Sequence, residues 1–236
     1  MHTMSYDAFV SGFSVDSLKQ QFCADFDQGL NVCTEICDRH AGDPTRVALR
    51  YERIDGSTGE ITFAGLQQRA ARFAGFLKAQ GIGPGDRVAC LLPRTPELLI
   101  CVLGTLKAGA VYQPLFTAFG SGAIEYRLEQ AQSKLIITNP EQWPKLADVK
   151  GLPPSMLVAD SADVVAGKPD FLFEAELAKQ SDSFEPVLIG ADDPMLQMFT
   201  SGTTGKAKGL VVPVRALMAF HMYMKYAVGL RADDKF

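Results

Sequence analysis

Apolar positions along the chain alternate between helical spacing and short continuous runs. The clearest helical stretch has its apolar residues on one face: Leu66, Ala70, Phe73, Ala74 and Leu77. Gly81 follows where a helix C-terminal glycine belongs, and the apolar run over 87–92 is typical of a buried parallel strand. The elements predicted next are a helix at 97–108, a strand at 110–114, a helix at 124–132 and a strand at 134–138. This alternation predicts an α/β fold with a mostly parallel sheet covered by helices on both faces.

The spacing of apolar residues is less regular before and after the stretch 66–138. Residues 1–30 are mixed and are predicted as a loop-like extension. Repeated prolines over 139–183 leave one predicted strand at 156–159, so about 139–190 is expected to be a weakly structured connection between sheet layers or subdomains. The other predicted elements are a helix at 30–40, a hairpin of strands 47–51 and 60–63, a strand at 195–200 and a helix at 215–228.

Composition and charge narrow the class of protein. The 236 residues are 47 % hydrophobic and 21 % charged, which is ordinary for a soluble globular protein. A net charge of −4 argues against nucleic acid or an anionic membrane as the main partner. The apolar stretch 98–112 is too short and too interrupted to cross a bilayer, so no integral membrane segment is expected. Five cysteines without a leader peptide are typical of reduced thiols, so a cytoplasmic location is expected.

The segment 200–209 has the composition of an anion-binding loop. Its ten residues include three glycines, four hydroxyl side chains and two lysines, with no acidic residue. Glycines let backbone N–H groups converge on phosphate oxygens, and each charge-assisted hydrogen bond contributes about 1.5–3 kcal/mol. The candidate phosphate-binding residues are Thr200, Ser201, Gly202, Thr203, Thr204, Gly205, Lys206 and Lys208.

Two alternatives to a nucleotide loop arise from the same segment. A Walker loop needs glycine five positions before Gly205 and a hydroxyl residue after Lys206, but Thr200 and Ala207 stand there, so this pattern is excluded. A surface linker rich in Ser, Thr and Gly has a similar composition. The preceding strand and the apolar run at 210–212 favour a structured loop over such a linker.

Other motifs favour structural roles, and no metal site is predicted. Cys33, Cys37 and His40 share one helix face but lack a fourth ligand, which favours a buried face. His221 among methionines favours a core helix with a paired histidine. The glycines at 81, 83 and 85 precede a strand rather than follow one, so they indicate a turn and not a dinucleotide loop.

A family resemblance adds to this interpretation. Residues 198–209, Met-Phe-Thr-Ser-Gly-Thr-Thr-Gly-Lys-Ala-Lys-Gly, closely resemble the signature loop of the AMP-forming acyl-CoA synthetase superfamily. The segments that agree with the family in order are 61–66, 83–89 with Pro93, 96–97 and 107–112. Segments 38–40, 114–119 and 126–128 look most like acetyl- and other short- or medium-chain acyl-CoA synthetases.

The resemblance implies an acid–thiol ligase that uses ATP, Mg²⁺ and coenzyme A to activate a small carboxylate as acyl-adenylate. It implies that residues 200–205 enclose the β- and γ-phosphates, with Lys206 and Lys208 as the cations of the loop. Two departures stand out: Ala207 replaces the usual proline, and Pro213-Val214 replaces a Ser/Thr-His pair. A proline is more restricted than alanine, so this loop is expected to be freer before phosphate binds.

The resemblance also sets an expectation about extent. Family members are more than twice as long, so residues 31–236 are expected to be the N-terminal part of the large AMP-binding domain. The C-terminal domain, which holds the family's adenylation lysine, is expected to be absent. No catalytic residue is therefore assigned, and this chain alone is expected to be inactive. Loading of a carrier protein and a non-enzymatic phosphate-binding role stay open as alternatives, and the oligomeric state is not predicted.

Overall fold

A computed structural model of the chain describes residues 5–200, 207–231 and 234, and within them the predicted alternation of strands and helices is present. The strands are β1 (Val47–Glu52), β2 (Thr58–Thr62), β3 (Arg87–Leu91), β4 (Val111–Pro114), β5 (Leu135–Thr138), β6 (Ser155–Leu157), β7 (Phe171–Leu172), β8 (Pro194–Thr200) and β9 (Lys208–Pro213). The α-helices are α1 (Tyr6–Gly12), α2 (Val15–Lys19), α3 (Val32–Ile36), α4 (Phe63–Ala79), α5 (Pro96–Lys107), α6 (Ser121–Ala131), α7 (Phe173–Leu177) and α8 (Ala216–Met222).

A seven-stranded sheet forms the centre of the molecule, in the order β7-β6-β5-β3-β4-β8-β9. Its strands are parallel except β9, which pairs antiparallel with β8. In the central strand β3, Val88 lies opposite both Tyr112 of β4 and Leu135 of β5. The predicted α/β fold with a mostly parallel sheet is confirmed.

Helices cover both faces of this sheet, as its connectivity requires. The chain passes from β3 through α5 to β4, and then back over β3 through α6 to β5. Because such connections are right-handed, opposite directions of travel place α5 and α6 on opposite faces. Alternate residues of β3 show this: Val88 and Cys90 pack into the core with α4 and α5, whereas Ala89 and Leu91 pack against α6.

The long helix α4 has the buried face that the apolar pattern predicts. Thr62 caps its N-terminus by accepting a hydrogen bond from the N–H of Gly65, which also ends β2 one residue earlier than expected. All five predicted face residues are buried. Gly81 follows the helix at a positive φ of 70°, a conformation that glycine adopts without steric cost.

Helices α4 and α5 approach each other closely at Gly104, and this contact leads to a prediction. A Cβ atom at this position would lie 2.7 Å from Cδ1 of Phe73 and 2.9 Å from the backbone oxygen of Ala70. We expect Gly104→Ala to lower the free energy of unfolding by about 1–3 kcal/mol, because the helices must separate. Urea unfolding measures this loss.

The matched control is Gly122→Ala in α6, where a Cβ meets nothing within 4 Å. Equal stability of Gly104→Ala and the unsubstituted protein would contradict the close approach.

The first 30 residues were predicted as loop-like, and this is wrong for two short stretches. Helix α1 begins after Ser5, whose hydroxyl accepts a hydrogen bond from the N–H of Ala8 at 3.2 Å. Helix α2 begins after Ser14, which accepts from the N–H of Ser17 at 3.0 Å. Both helices are stabilised at their N-termini by a serine cap. They span too few residues for a helical spacing of apolar side chains to be recognised in the sequence.

Three other segments differ in detail from their predictions. The helix expected over 30–40 ends at Ile36, because the backbone of Cys37 leaves the helical region before a 3₁₀ turn at Asp38–His40. The segment around 139–190 extends the same sheet with β6 and β7, and its helix α7 packs on α4, so it is more ordered than expected. The helix expected over 215–228 is α8 followed by a π-helical stretch, Tyr223–Val228.

Hairpin β1–β2 forms a separate two-stranded sheet, as its turn sequence predicts. The carboxylate of Asp55 accepts hydrogen bonds from the backbone N–H and the hydroxyl of Ser57, which fixes the turn. No helix within the described ranges combines the length and the apolar character that a membrane crossing requires.

Candidate functional site

The candidate phosphate loop joins β8 to β9 at the carboxyl end of the parallel strands. Thr200 and Lys208 lie opposite each other in the β8–β9 register, so both ends of the loop meet at the base of a hairpin. β8 runs parallel to its neighbour β4, and this hairpin base therefore shares an edge with the ends of β3, β4 and β5. Ligands of open α/β sheets bind at this edge.

Of the eight predicted loop residues, the structure describes two. Thr200 is the last residue of β8 and Lys208 the first of β9, and both side chains are exposed. The other six lie outside the described residues: Ser201, Gly202, Thr203, Thr204, Gly205 and Lys206. The described pair contributes one hydroxyl and one ammonium group, on neighbouring strands, at the base of the loop.

Helix α6 contacts both limbs of this hairpin. The hydroxyl of Tyr126 donates a hydrogen bond to the carbonyl oxygen of Ala207 at 2.9 Å. The Tyr126 ring meets the ring of Phe199 edge-on, with 6.4 Å between centroids. The next residue, Arg127, places its guanidinium 5.7 Å from the centre of the same Phe199 ring. One turn of α6 therefore touches the chain on both sides of the loop.

Among the described residues, Arg127 contacts aromatic rings and forms no ion pair. Its guanidinium lies 4.0 Å from the centre of the Phe119 ring, on the side of α6 that faces the loop after β4. Nη1 donates to the carbonyl oxygen of Ala123 at 2.8 Å, and the buried Nε has no hydrogen-bond partner within the described residues. Loss of hydration lowers the pKa of Arg127 from its ordinary value, but a guanidinium stays protonated at neutral pH.

Helix α6 is itself fixed to the sheet by a buried amide. Gln113 of β4 is fully buried, and its Nε2 donates to the carbonyl oxygen of Arg127 at 3.1 Å. The hydroxyl of Ser133 donates to the other end of the same amide. A buried amide with both ends bonded holds its partners in one position. The backbone of α6 that carries Tyr126 and Arg127 is therefore hydrogen-bonded to strand β4.

A second feature of this edge lies between the carboxyl ends of β3 and β4, next to the hairpin. The chain leaves β3 toward one face of the sheet and leaves β4 toward the other, which is the geometry of a topological switch point. Phe116, in the loop after β4, is 65 % exposed and packs edge-on against Phe119, with 5.4 Å between centroids. This edge thus presents aromatic surface one strand away from the loop.

The sequence did not single out Tyr126 and Arg127 as functional residues, although it used them for the family resemblance. Their contacts with Ala207 and Phe199 span more than 70 residues. Only a pattern linking positions this far apart could have shown the contact in advance. The adjacent pair on α6 is therefore an addition from the structure.

The cysteine–histidine motif lies apart from this site. Cys33 and Cys37 are buried, and the thiol of Cys33 lies 3.7 Å from a carboxylate oxygen of Asp38. The hydrogen bond with Cys37, followed by burial, raises the pKa of Cys33 above the usual thiol range. His40 instead packs on the ring of Phe63, at 5.1 Å between centroids. The described part of the chain contains no cluster of three or more His, Cys, Asp or Glu side chains suited to a metal.

His221 is paired, as predicted, but its helix is not in the core. Nε2 of His221 lies 2.9 Å from Oε1 of Gln21, in the segment after α2. None of the α8 residues is buried, and Phe220 is 49 % exposed. The prediction of a core helix is therefore wrong: Ala216, Leu217 and Met218 pack against the edge of the main core but are only partly buried, and Phe220 lies largely in solvent.

Chemically, the hairpin base is suited to an anionic ligand. The loop segment lacks acidic side chains, and its described ends contribute a hydroxyl and an ammonium group at the open edge of the sheet. Such groups stabilise oxygen-borne negative charge.

Comparisons with known proteins agree with this description. The sequence pattern of the family described as AMP-binding enzyme matches residues 37–236. An acetyl-coenzyme A synthetase of Burkholderia thailandensis is 30 % identical over 95 % of this chain and 37 % of the relative. Acetyl-coenzyme A synthetase 2 of Saccharomyces cerevisiae is 34 % identical over 87 % of this chain and 33 % of the relative.

A solved structure is similar over almost all of the chain. The crystal structure of a Brucella canis acyl-CoA synthetase is 44 % identical, with a TM-score of 0.90, over 97 % of this chain and 42 % of that protein. The chain thus spans well under half the length of the relatives it matches.

Proposed function

Because this chain belongs to the family of AMP-binding enzymes, we propose that the protein carrying it is an AMP-forming acyl-CoA synthetase. In this reaction a carboxylate oxygen attacks the α-phosphorus of ATP, and the bond to the bridging oxygen of pyrophosphate breaks. The sulfur of coenzyme A then attacks the acyl carbon, which releases AMP and yields the thioester. The observation that carries the proposal is the β8–β9 hairpin, which holds Thr200 and Lys208 at the carboxyl edge of the sheet.

The role proposed for the loop is to bind the pyrophosphate end of ATP. Negative charge builds up on the leaving pyrophosphate as the α-phosphorus is attacked. Lysine ammonium groups, hydroxyls and backbone N–H groups stabilise that charge. We assign this role to the eight loop residues that the sequence predicts: Thr200, Ser201, Gly202, Thr203, Thr204, Gly205, Lys206 and Lys208.

The family resemblance implies Mg²⁺ as well, and the described residues do not fit a site that holds it directly. Magnesium prefers carboxylate, phosphate and water oxygens. The described ends of the hairpin provide one hydroxyl and one ammonium group, and no metal-binding cluster of acidic, histidine or cysteine side chains occurs within the described ranges.

The substrate proposed is a short- or medium-chain carboxylate, with coenzyme A as acceptor. The basis is the resemblance of segments 114–119 and 126–128 to such synthetases. The exposed aromatic surface of Phe116 beside the hairpin suits a small apolar acyl group more than a second charged group.

A substrate panel tests this proposal. Protein from the complete open reading frame is incubated with ATP, coenzyme A and straight-chain carboxylates of increasing length, and the products are identified by mass spectrometry. We expect AMP, pyrophosphate and an acyl-CoA thioester, each dependent on the carboxylate. A phosphopantetheinylated carrier protein in place of coenzyme A is the control. Acylation of the carrier with no thioester on coenzyme A would contradict the proposed acceptor.

A further inference from the structure

The contacts between helix α6 and the loop hairpin point to a role beyond packing. Two consecutive residues of one helical turn contact both limbs of a loop whose ends pair at Thr200 and Lys208. We propose that Tyr126 and Arg127 form a clamp that positions the phosphate loop for ATP, and this inference rests on the proposed function. They are positioning residues, since they act on the flanks of the loop rather than on the phosphates.

The first limb is held by an edge-on ring contact and a cation–π contact. Phe199 precedes Thr200 directly, and its ring lies against both the Tyr126 ring and the Arg127 guanidinium. Because Arg127 is also packed against Phe119 at 4.0 Å, the guanidinium lies against two rings from different parts of the chain. A planar cation in such contacts restricts the motion of the rings around it.

The second limb is held by one directed bond. Tyr126 donates its hydroxyl hydrogen to the carbonyl oxygen of Ala207, one residue before β9 begins. Alanine leaves the backbone at this position freer than proline does. The Tyr126 hydrogen bond restrains the carbonyl oxygen of residue 207, whereas a proline ring would fix φ at that residue, and either restraint reduces the backbone freedom there. A phosphate loop whose ends are already in place loses less entropy when ATP binds.

The base of the clamp makes this restraint effective. Gln113 ties the backbone of Arg127 to strand β4 from a fully buried position. Motion of the hairpin relative to α6 therefore strains the Tyr126 hydrogen bond and the contact of Arg127 with Phe199, because Gln113 ties α6 to the sheet. The clamp thus ties the position of the loop to the parallel sheet.

Tyr126→Phe tests the clamp, because it removes one oxygen and keeps the ring against Phe199. A single hydrogen bond contributes a factor of about 3–10 to an equilibrium constant, so we expect the KM for ATP to rise about 3- to 10-fold. The KM values for the carboxylate and for coenzyme A should stay unchanged. Adding Ala207→Pro to the Tyr126→Phe protein should lower the KM for ATP again, because the ring fixes φ at residue 207 and so reduces the backbone freedom that the lost hydrogen bond had restrained.

The control is Tyr223→Phe, which removes the same atom from a tyrosine that is 62 % exposed and makes no hydrogen bond through its hydroxyl to any described residue. All measurements use protein from the complete open reading frame. If Tyr126→Phe leaves the KM for ATP unchanged, or raises all three KM values equally, the clamp is contradicted while the proposed function stands. If the unsubstituted protein forms no carboxylate-dependent AMP, the proposed function is wrong. The clamp is then contradicted as well, because it rests on that function.

Discussion

Lys208→Ala is expected to lower kcat/KM for ATP by about 10- to 100-fold, because one charge-assisted hydrogen bond to a phosphate contributes a factor of that size. Lys208 is exposed at the start of β9, opposite Thr200, so its side chain contributes little to the core. The loss should therefore appear in catalysis and not in stability. Initial rates at varied ATP and saturating carboxylate and coenzyme A measure it.

Lys134→Ala is the matched control for that experiment. Lys134 is also exposed, but it precedes β5 and lies at the amino edge of the sheet, opposite the loop. Both variants remove one positive charge, so a general effect of net charge would lower both rates equally. Equal losses in the two variants, or full activity of Lys208→Ala, would contradict a role of Lys208 in binding ATP.

Asp38→Ala is expected to lower the free energy of unfolding by about 3–5 kcal/mol, because it leaves a buried ammonium group without its partner. Asp38 pairs with Lys107 at the end of α5, and the side chain of Lys107 is only 3 % exposed. The backbone oxygen of Lys107 is also bonded, to the amide of Asn31 at 3.0 Å. The end of α5 is thus held twice by the N-terminal region. Equilibrium urea unfolding measures the loss.

The exposed pair Lys19–Asp27 provides the control. Asp27 is 76 % exposed, so Asp27→Ala should cost no more than about 1 kcal/mol. In a second variant, Asp38→Leu with Lys107→Met replaces the buried pair by apolar side chains and should recover most of the lost stability. If Asp38→Ala unfolds at the same urea concentration as the unsubstituted protein, the ion pair between Asp38 and Lys107 does not contribute to the stability of the fold.

Local periodicity predicted the central elements because their burial is regular. Helix α4 buries all five residues of its predicted face, and β3 is buried at every position after Arg87. The alternation of strands and helices predicted a mostly parallel sheet with both faces covered, and this is confirmed. The strand order was not predicted, because right-handed connections are compatible with more than one order.

The sequence analysis missed or misplaced those helices and strands that depend on a cap or a distant contact rather than on the spacing of apolar residues. Helix α2 depends on the cap at Ser14, and β7 has two residues, too few for an alternation to appear. The helix expected to reach His40 stops at Ile36, and the next acidic residue, Asp38, reaches across to Lys107. A contact between residues 69 positions apart leaves no trace in the local pattern.

The residues of the candidate site also differ in whether the local sequence could predict them. The phosphate loop was predicted from its glycines, hydroxyls and lysines, because that chemistry is contained in ten consecutive residues, and its role stays a prediction. The contacts of Tyr126 and Arg127 were not visible, because a tyrosine and an arginine on a helix usually face solvent. Their role depends on Ala207 and Phe199, which the fold brings to α6.

Transfer of ¹⁸O from the carboxylate tests the central claim most directly. Protein from the complete open reading frame is given ATP, coenzyme A and the preferred carboxylate labelled with ¹⁸O, and the nucleotide product is analysed by mass spectrometry. If the carboxylate oxygen attacks the α-phosphorus, AMP carries one ¹⁸O atom and the pyrophosphate carries none. ADP together with labelled inorganic phosphate would show attack on the terminal phosphorus and would contradict the account.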